Sequence, residues 1–222
     1  MAKPKPKKYY SVITGDIVKS SRLPVDKHKM LIKVLRGCST ELPQVFPGVL
    51  KYEPELFRGD SWQLLIQKPE LALSVALFYR AYLKAKMQLD SIDARMSISF
   101  GTVDIISSEL GIGEAYKISG KALDKKGRRK LKFVTTEISY PDSIDLIVEN
   151  TDFISSRWTS RQSKIILLSL QNKNQKEIAR KLRITQQAVS QHLDSAGWLI
   201  ISSNISFYIK AVSLYARSLR NK

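Results

Sequence analysis

An α+β chain is predicted, with a β-α-β-β-α-β unit first and a set of helices after it. Three observations predict it. Short β-rich runs alternate with helical apolar stripes as far as Thr135, whereas only helical stripes occur beyond Thr159. Proline and glycine fall mostly between these runs. The charge is also uneven. The chain carries 37 Lys and Arg against 20 Asp and Glu, a net +17, of which residues 151–222 hold 12 basic and 3 acidic side chains, a net +9. The expected organisation is a basic tail over 1–8, a sheet unit over 9–140, a link over 141–158 and a helical unit over 159–222.

Each element has its own signal. Tyr9 to Thr14 is a β-rich run that ends at Gly15-Asp16. Asp26 caps a helix reaching about Leu42, with Met30, Leu31, Val34, Leu35, Cys38 and Leu42 as its stripe. Pro43 and Pro47-Gly48 break the chain. Lys51 to Arg58 and Trp62 to Gln67 read as strands joined across Gly59-Asp60-Ser61. Pro69-Glu70 opens a second helix with Leu71, Val75, Phe78 and Tyr82 on one face. Ala94, Met96, Ile98 and Phe100 alternate with Arg95, Ser97 and Ser99, a half-buried strand. This order is that of a ferredoxin-like unit. Gly113 to Leu123 reads as a third helix and Leu131 to Thr135 as another strand. Asp142 to Trp158 gives no clear pattern. Ser206 to Leu219 reads as a closing amphipathic helix with a wide apolar face.

Composition excludes several function classes. One cysteine, Cys38, rules out an intrachain disulfide and a multi-cysteine zinc site. Two histidines, His28 and His192, rule out a histidine-rich metal centre. No run approaches the roughly 18 apolar residues of a membrane span, and the basic N-terminus lacks the apolar stretch of a signal peptide. A cytoplasmic protein with no membrane partner is expected. The excess positive charge suits a polyanion, either nucleic acid or nucleotide phosphates. Cys38 is expected as a buried thiol, and Trp158 and Trp198 as packing residues of the C-terminal helices.

The topology brings two carboxylates together. In this unit the first two strands are parallel and flank the third, so Asp16 at the end of strand one lies beside Asp60 in the turn between strands two and three. Two carboxylates at one sheet end suit Mg2+ or Mn2+ holding a nucleoside triphosphate. Ile17, Val18, Lys19, Ser20, Ser21 and Arg22 follow Asp16, and their amides, hydroxyls and cations suit phosphate oxygens. The plain turn-residue reading of both aspartates stays open on spacing alone.

A resemblance adds to this. Thr14-Gly15-Asp16-Ile17-Val18 resembles the first metal motif of class III nucleotidyl cyclases, and Phe57-Arg58-Gly59-Asp60-Ser61-Trp62 resembles their second. Arg95 to Val103 is similar to their following strand, and Gly113-Glu114-Ala115-Tyr116 to the start of the helix that carries their transition-state residues. The whole set, with SGKALD, resembles the SatD family of small bacterial proteins. The resemblance covers roughly residues 9–125. It implies Asp16 and Asp60 as metal ligands, Ile17 to Arg22 and Arg58 as nucleotide-binding residues, and a homodimer with composite sites. Lys117 and Lys121 stand where the cyclases carry asparagine and arginine, and Leu56 where many carry the purine-reading lysine. Lysine is a point charge without the arginine fork. These departures weaken cyclisation more than nucleotide binding.

The helical unit carries a DNA-binding pattern. Ser160 to Leu170, Gln175 to Leu182 and Gln186 to Ala196 read as three helices, with Arg183-Ile184-Thr185 as the turn between the last two. Ala179, Leu182, Ile184, Val189 and Leu193 have the spacing of a helix-turn-helix core. The pattern resembles that of sigma-factor region four, except that Arg183 stands where such turns often have glycine. Thr185 caps the last helix, and Gln186, Gln187, Ser190 and Gln191 suit base edges or phosphates of double-stranded DNA. Lys176, Arg180 and Arg183, with Lys181, suit its phosphates. Two functions fit: a nucleotide-responsive DNA-binding regulator, and an active nucleotidyl cyclase or nucleotidyltransferase localised by its helical unit.

Overall fold

The computed structural model describes residues 8–57, 59–106, 111–125, 127–137 and 140–220. Strand β1 (Tyr9–Ile17) is the centre of a five-stranded sheet. The sheet also contains β2 (Glu55–Phe57), β3 (Ser61–Ile66), β4 (Ala94–Thr102) and β7 (Leu131–Thr135), in the order β2-β3-β1-β4-β7. β3 is antiparallel to both β1 and β2, β4 is antiparallel to β1, and β7 is parallel to β4. A small hairpin, β5 (Ile105–Ile106) with β6 (Gly111–Ile112), follows β4. β1 runs past the expected end at Thr14, because Asp16 still pairs with Ser61 and Arg95, and Ile17 with Ala94. β2 is shorter than the expected Lys51 to Arg58; Pro54 stands directly before it.

The two sheet faces differ. Ile13, Trp62, Leu64, Ile98 and Phe100 point into the main core beside α1 (Val25–Val45) and α2 (Ala72–Met87). The other face carries Tyr10, Val12 and Leu65 against Ala115 of α3 (Glu114–Asp124). Ser97 and Ser99 lie there too, and they are fully buried rather than half-buried. The Ser99 hydroxyl donates to the Ala115 carbonyl at 2.8 Å, and that of Ser119 donates to the Ser97 carbonyl at 3.1 Å. Small residues and hydroxyls let α3 approach the strands closely.

Helix α2 is mostly apolar around its circumference, and every residue of it but Lys86 is buried. The sheet and α1 cover part of it, α5 (Ser160–Leu170) covers much of the rest, and other helices that follow β7 make smaller contacts. The segment without a sequence pattern forms α4 (Ser143–Ser155), which packs on β7 and on α8 (Trp198–Arg220). One buried hydrophobic cluster therefore extends from Tyr9 to Ala216.

α8 begins well before the expected Ser206. Its polar stretch is accommodated because buried Asn204 donates to the Thr151 hydroxyl at 3.1 Å. By length and composition Trp198–Leu219 passes for a membrane span, against the sequence expectation. In the fold Ile201, Tyr208, Val212 and Tyr215 of this helix are buried in protein. Tyr215 meets Tyr140 edge to face at 4.5 Å, and Tyr208 meets Phe133 at 6.3 Å. Trp158 is buried and donates its indole N–H to the Ala196 carbonyl at 2.9 Å. Cys38 is buried, and burial pushes its thiol pKa well up.

A charged network crosses this core. Fully buried Arg80 of α2 donates to Asp93 (3.0 Å), Ser155 (2.6 Å), Asp152 (2.9 Å) and the Ala94 carbonyl (3.3 Å). Lys130 pairs with the second Asp93 oxygen at 2.8 Å, and its N–H donates to Asp152 at 2.8 Å. Lys84, one turn from Arg80, is buried beside them, and desolvation lowers its pKa.

Candidate functional site

The end of β1 and the turn between β2 and β3 meet through their backbones, where the Ile17 N–H donates to the Asp60 carbonyl at 3.1 Å. Asp16 and Asp60 thus lie at one sheet end. Their carboxylates are already engaged. Asp60 accepts from the Ser20 hydroxyl at 2.5 Å and from Ser61 at 3.2 Å. Asp16 stands directly across from Arg95 on β4. Arg95 donates Nε to one Asp16 oxygen at 2.9 Å and Nη2 to the other. This fork–fork pair is a strong form of carboxylate hydrogen bonding. It raises the Arg95 pKa, chiefly through the hydrogen bond to Asp16. The pair is partly open, with Asp16 19% and Arg95 41% exposed.

The segment after Asp16 is only partly free for a ligand. Ile17 is a core side chain and its amide is used by Asp60, while the Val18 amide donates to the Asp93 carbonyl at 2.9 Å. These two residues are therefore unavailable in the expected phosphate cradle. Lys19, in a left-handed conformation at φ 57°, turns the chain into a 3-10 turn over Ser20–Arg22. Lys19, Ser21 and Arg22 are exposed there. Arg58 lies outside the described residues.

Lys117 and Lys121 sit on the exposed side of α3. Among the described residues neither forms an ion pair with Asp16 or Asp60. Lys121 instead lines a hollow of about 510 Å³ on the β7 side, with Lys125, Arg129 and Lys132.

A divalent cation is implied by the motif resemblance, and the arrangement does not fit one. Among the described residues there is no group of three or more carboxylate, histidine or cysteine ligands. Both carboxylates have hydrogen-bonding partners, and the Asp16 charge is matched by Arg95. Sequence reasoning placed Arg95 in the strand but gave it no role. Its signal was the alternation that puts Arg95 and Asp16 on one sheet face, which became readable only with the β1–β4 register.

The second candidate surface lies on α6 (Gln175–Leu182) and α7 (Gln186–Ser195). Asn174 and Glu177 form a reciprocal capping box at the start of α6, and the Thr185 hydroxyl accepts from the Ala188 N–H at 3.1 Å at the start of α7. Arg183 ends α6 in the left-handed conformation at φ 54°, and the Ile184 N–H closes on the Ala179 carbonyl at 3.1 Å. Ile178, Ala179, Val189 and Leu193 are buried between these helices and their neighbours. Lys176, Arg180, Arg183, Thr185, Gln186, Gln187 and Gln191 are exposed, and Ser190 is half-buried. Glu177 is tied to the Asn174 N–H at 2.8 Å and to Lys173 at 3.4 Å. Among the described residues no carboxylate pairs with Lys176, Arg180 or Arg183. Lys181 turns elsewhere, toward a hollow it shares with Glu41 and Gln44 of α1.

No protein-family model matches the chain, and no curated protein matches it. A solved structure of a bacterial light-regulated adenylyl cyclase is similar to it with a TM-score of 0.41 and 20% identity. That match covers 56% of this chain, and the chain spans 42% of that structure's length.

Proposed function

We propose that this protein is a DNA-binding regulator whose sheet unit binds a nucleotide through its phosphates. The observation that carries this reading is the α6–α7 surface. Two capped helices meet at a tight turn over a buried Ala179, and they present unpaired cations beside exposed glutamines. That arrangement suits a helix-turn-helix, a motif whose second helix enters the major groove while its first crosses the phosphate backbone. Lys176 and Arg180 would contact phosphate, while Gln186, Gln187 and Gln191 would face base edges. The ferredoxin-like reading of the sheet unit is supported by its strand order and by the juxtaposition of Asp16 and Asp60. Its nucleotide-binding role is further supported by the class III cyclase-like and SatD-like motifs. Cyclisation is the less favoured activity, because Lys117 and Lys121 stand where the cyclases carry asparagine and arginine, and lysine lacks the arginine fork. Exposed Leu199, Ile200, Phe207 and Leu214 on α8 support a homodimer.

The test is a titration of the full chain with specific and scrambled duplexes at several salt concentrations. Lys176→Ala and Arg180→Ala should weaken all duplexes alike and lower the salt slope by about one unit. Gln187→Ala should change the preference at one base pair by about 1–3 kcal/mol. Weak binding that depends on salt alone and ignores the glutamines would overturn the helix-turn-helix reading.

A further inference from the structure

We propose that the sheet-end site takes a polyphosphate anion without a divalent cation, with Arg95 neutralising Asp16 where a metal ion would otherwise do so. The inference rests on the nucleotide-binding reading above and specifies the form in which the ligand arrives.

Three observations carry it. First, both Asp16 oxygens are held by one guanidinium, so a cation at Asp16 would have to share them with the positive charge of Arg95. That pair is set by the backbone, since Asp16 and Arg95 are register partners on adjacent central strands. A metal ion entering beside it would meet the positive charge of Arg95 at contact range, a repulsion that partial burial strengthens. Second, Asp60 is held by hydroxyls from Ser20 and Ser61, and among the described residues no further ligand group completes a cation shell. Mg2+ held by two carboxylates completes its octahedron with water and substrate phosphates, so the obstacle at this site is the positive charge of Arg95 on Asp16.

Third, the surroundings are basic. Lys19 and Arg22 lie on the turn after β1, on one side of the site. On the other side the chain between α3 and β7 returns to the same sheet end, because Leu131 pairs with Met96, the residue after Arg95. Arg95 there shares a crevice with Lys125, Arg129 and Lys130. Arg129 is matched by Asp145 and Glu149, and Lys130 by Asp93. Lys125 and Arg128 are exposed, and among the described residues no carboxylate pairs with them. Lys19 and Arg22 on one side and Lys125 beside Arg95 on the other therefore add positive charge around the neutralised Asp16, with Asp60 held by hydroxyls. The rim matches an uncomplexed polyphosphate chain, whose charge a bound metal would only reduce.

The experiment is calorimetry on the full chain with ATP and with inorganic triphosphate, each in EDTA and in excess Mg2+. ATP and triphosphate should bind in EDTA at least as tightly as in Mg2+. Mn2+ alone should show no binding to the native chain up to millimolar concentration. Arg95→Ala should lose at least tenfold in affinity for ATP in EDTA and should acquire Mn2+ binding at the freed Asp16. Arg95→Lys, which keeps the charge but not the fork, should restore part of the EDTA affinity, and it serves as the test if Arg95→Ala fails to fold. Binding of ATP only in the presence of Mg2+, or micromolar Mn2+ binding by the native chain, would overturn this inference and leave the nucleotide-binding reading standing. Absence of binding in both conditions would overturn the nucleotide-binding reading and this inference with it.

Discussion

Replacing Arg80 with methionine removes the hub of the buried charge network while keeping most of the side chain's apolar length. The native guanidinium makes four hydrogen bonds, two of them to carboxylates. Removing one partner of a buried ion pair costs roughly 3–5 kcal/mol, because the other charge is left uncompensated. The structure favours the lower end of that range. Asp93 keeps Lys130 at 2.8 Å and the Ala94 N–H at 2.8 Å, and Asp152 keeps the Lys130 N–H at 2.8 Å. A loss of about 3 kcal/mol is a large share of the roughly 5–15 kcal/mol that holds a domain together. In urea, with a slope of about 2–3 kcal/mol/M, the midpoint should fall by about 1–1.5 M. Adding Asp152→Asn should then recover about 1 kcal/mol, since one of the stranded charges is gone. A midpoint shift below about 0.3 M at unchanged slope would show that water or side-chain movement compensates these carboxylates, and the reasoning would fail.

Three other outcomes are expected. Arg183→Gly removes the steric cost of a left-handed conformation at φ 54° and should stabilise the chain by about 1 kcal/mol, raising Tm in a calorimetric scan by about 2–4 °C; an unchanged or lower Tm would contradict the assignment of strain there. Gly15→Ala places a Cβ 2.4 Å from the Trp62 ring, which is buried and stacked on Tyr79, so it should cost about 1–3 kcal/mol in urea and shift the tryptophan emission; a variant of native stability and spectrum would show that Trp62 moves freely. Alkaline conditions should destabilise the fold. Burial raises the pKa of Tyr9, Tyr79, Tyr82, Tyr140 and Tyr208, so above pH about 10 the unfolded chain releases these protons first and stability falls as pH rises. Lys84, whose pKa is lowered, acts in the opposite direction. Urea midpoints at pH 8 and pH 10.8 measure the balance, and equal values would contradict it.

The sequence was most informative where packing is local. The α6 and α7 spans emerged from their apolar spacing, and α7 also from its Thr185 cap, because those signals lie within a few residues of the helices they define. The meeting of Asp16 and Asp60 was legible because a hairpin and a crossover leave few ways to arrange three strands. What stayed hidden depends on register and on distant partners. Arg95 looked like one polar position among several until its pairing with Asp16 was known. Ser97 and Ser99 read as solvent-facing because nothing local reveals that α3 lies over them. α4 gave no period because its buried positions include Thr151, Asp152 and Ser155, polar residues whose partners Asn204 and Arg80 are far away in the chain.

Helix α2 sets a limit on how this chain can be divided. Its sixteen residues serve as the floor of the sheet unit and, on the opposite side, as the seat of α5. Cutting between the two units would strip an apolar rod of half its cover, so limited proteolysis should release no stable half. A swing of one unit against the other is equally costly, since close-packed interiors resist sliding. An anion bound at the sheet end, as proposed above, would therefore have no hinge through which to act on α6 and α7. Any influence it exerted would pass through firmly packed contacts, those of α2 and those of α4 between β7 and α8, and α2 amides should be among the last in the chain to exchange with solvent.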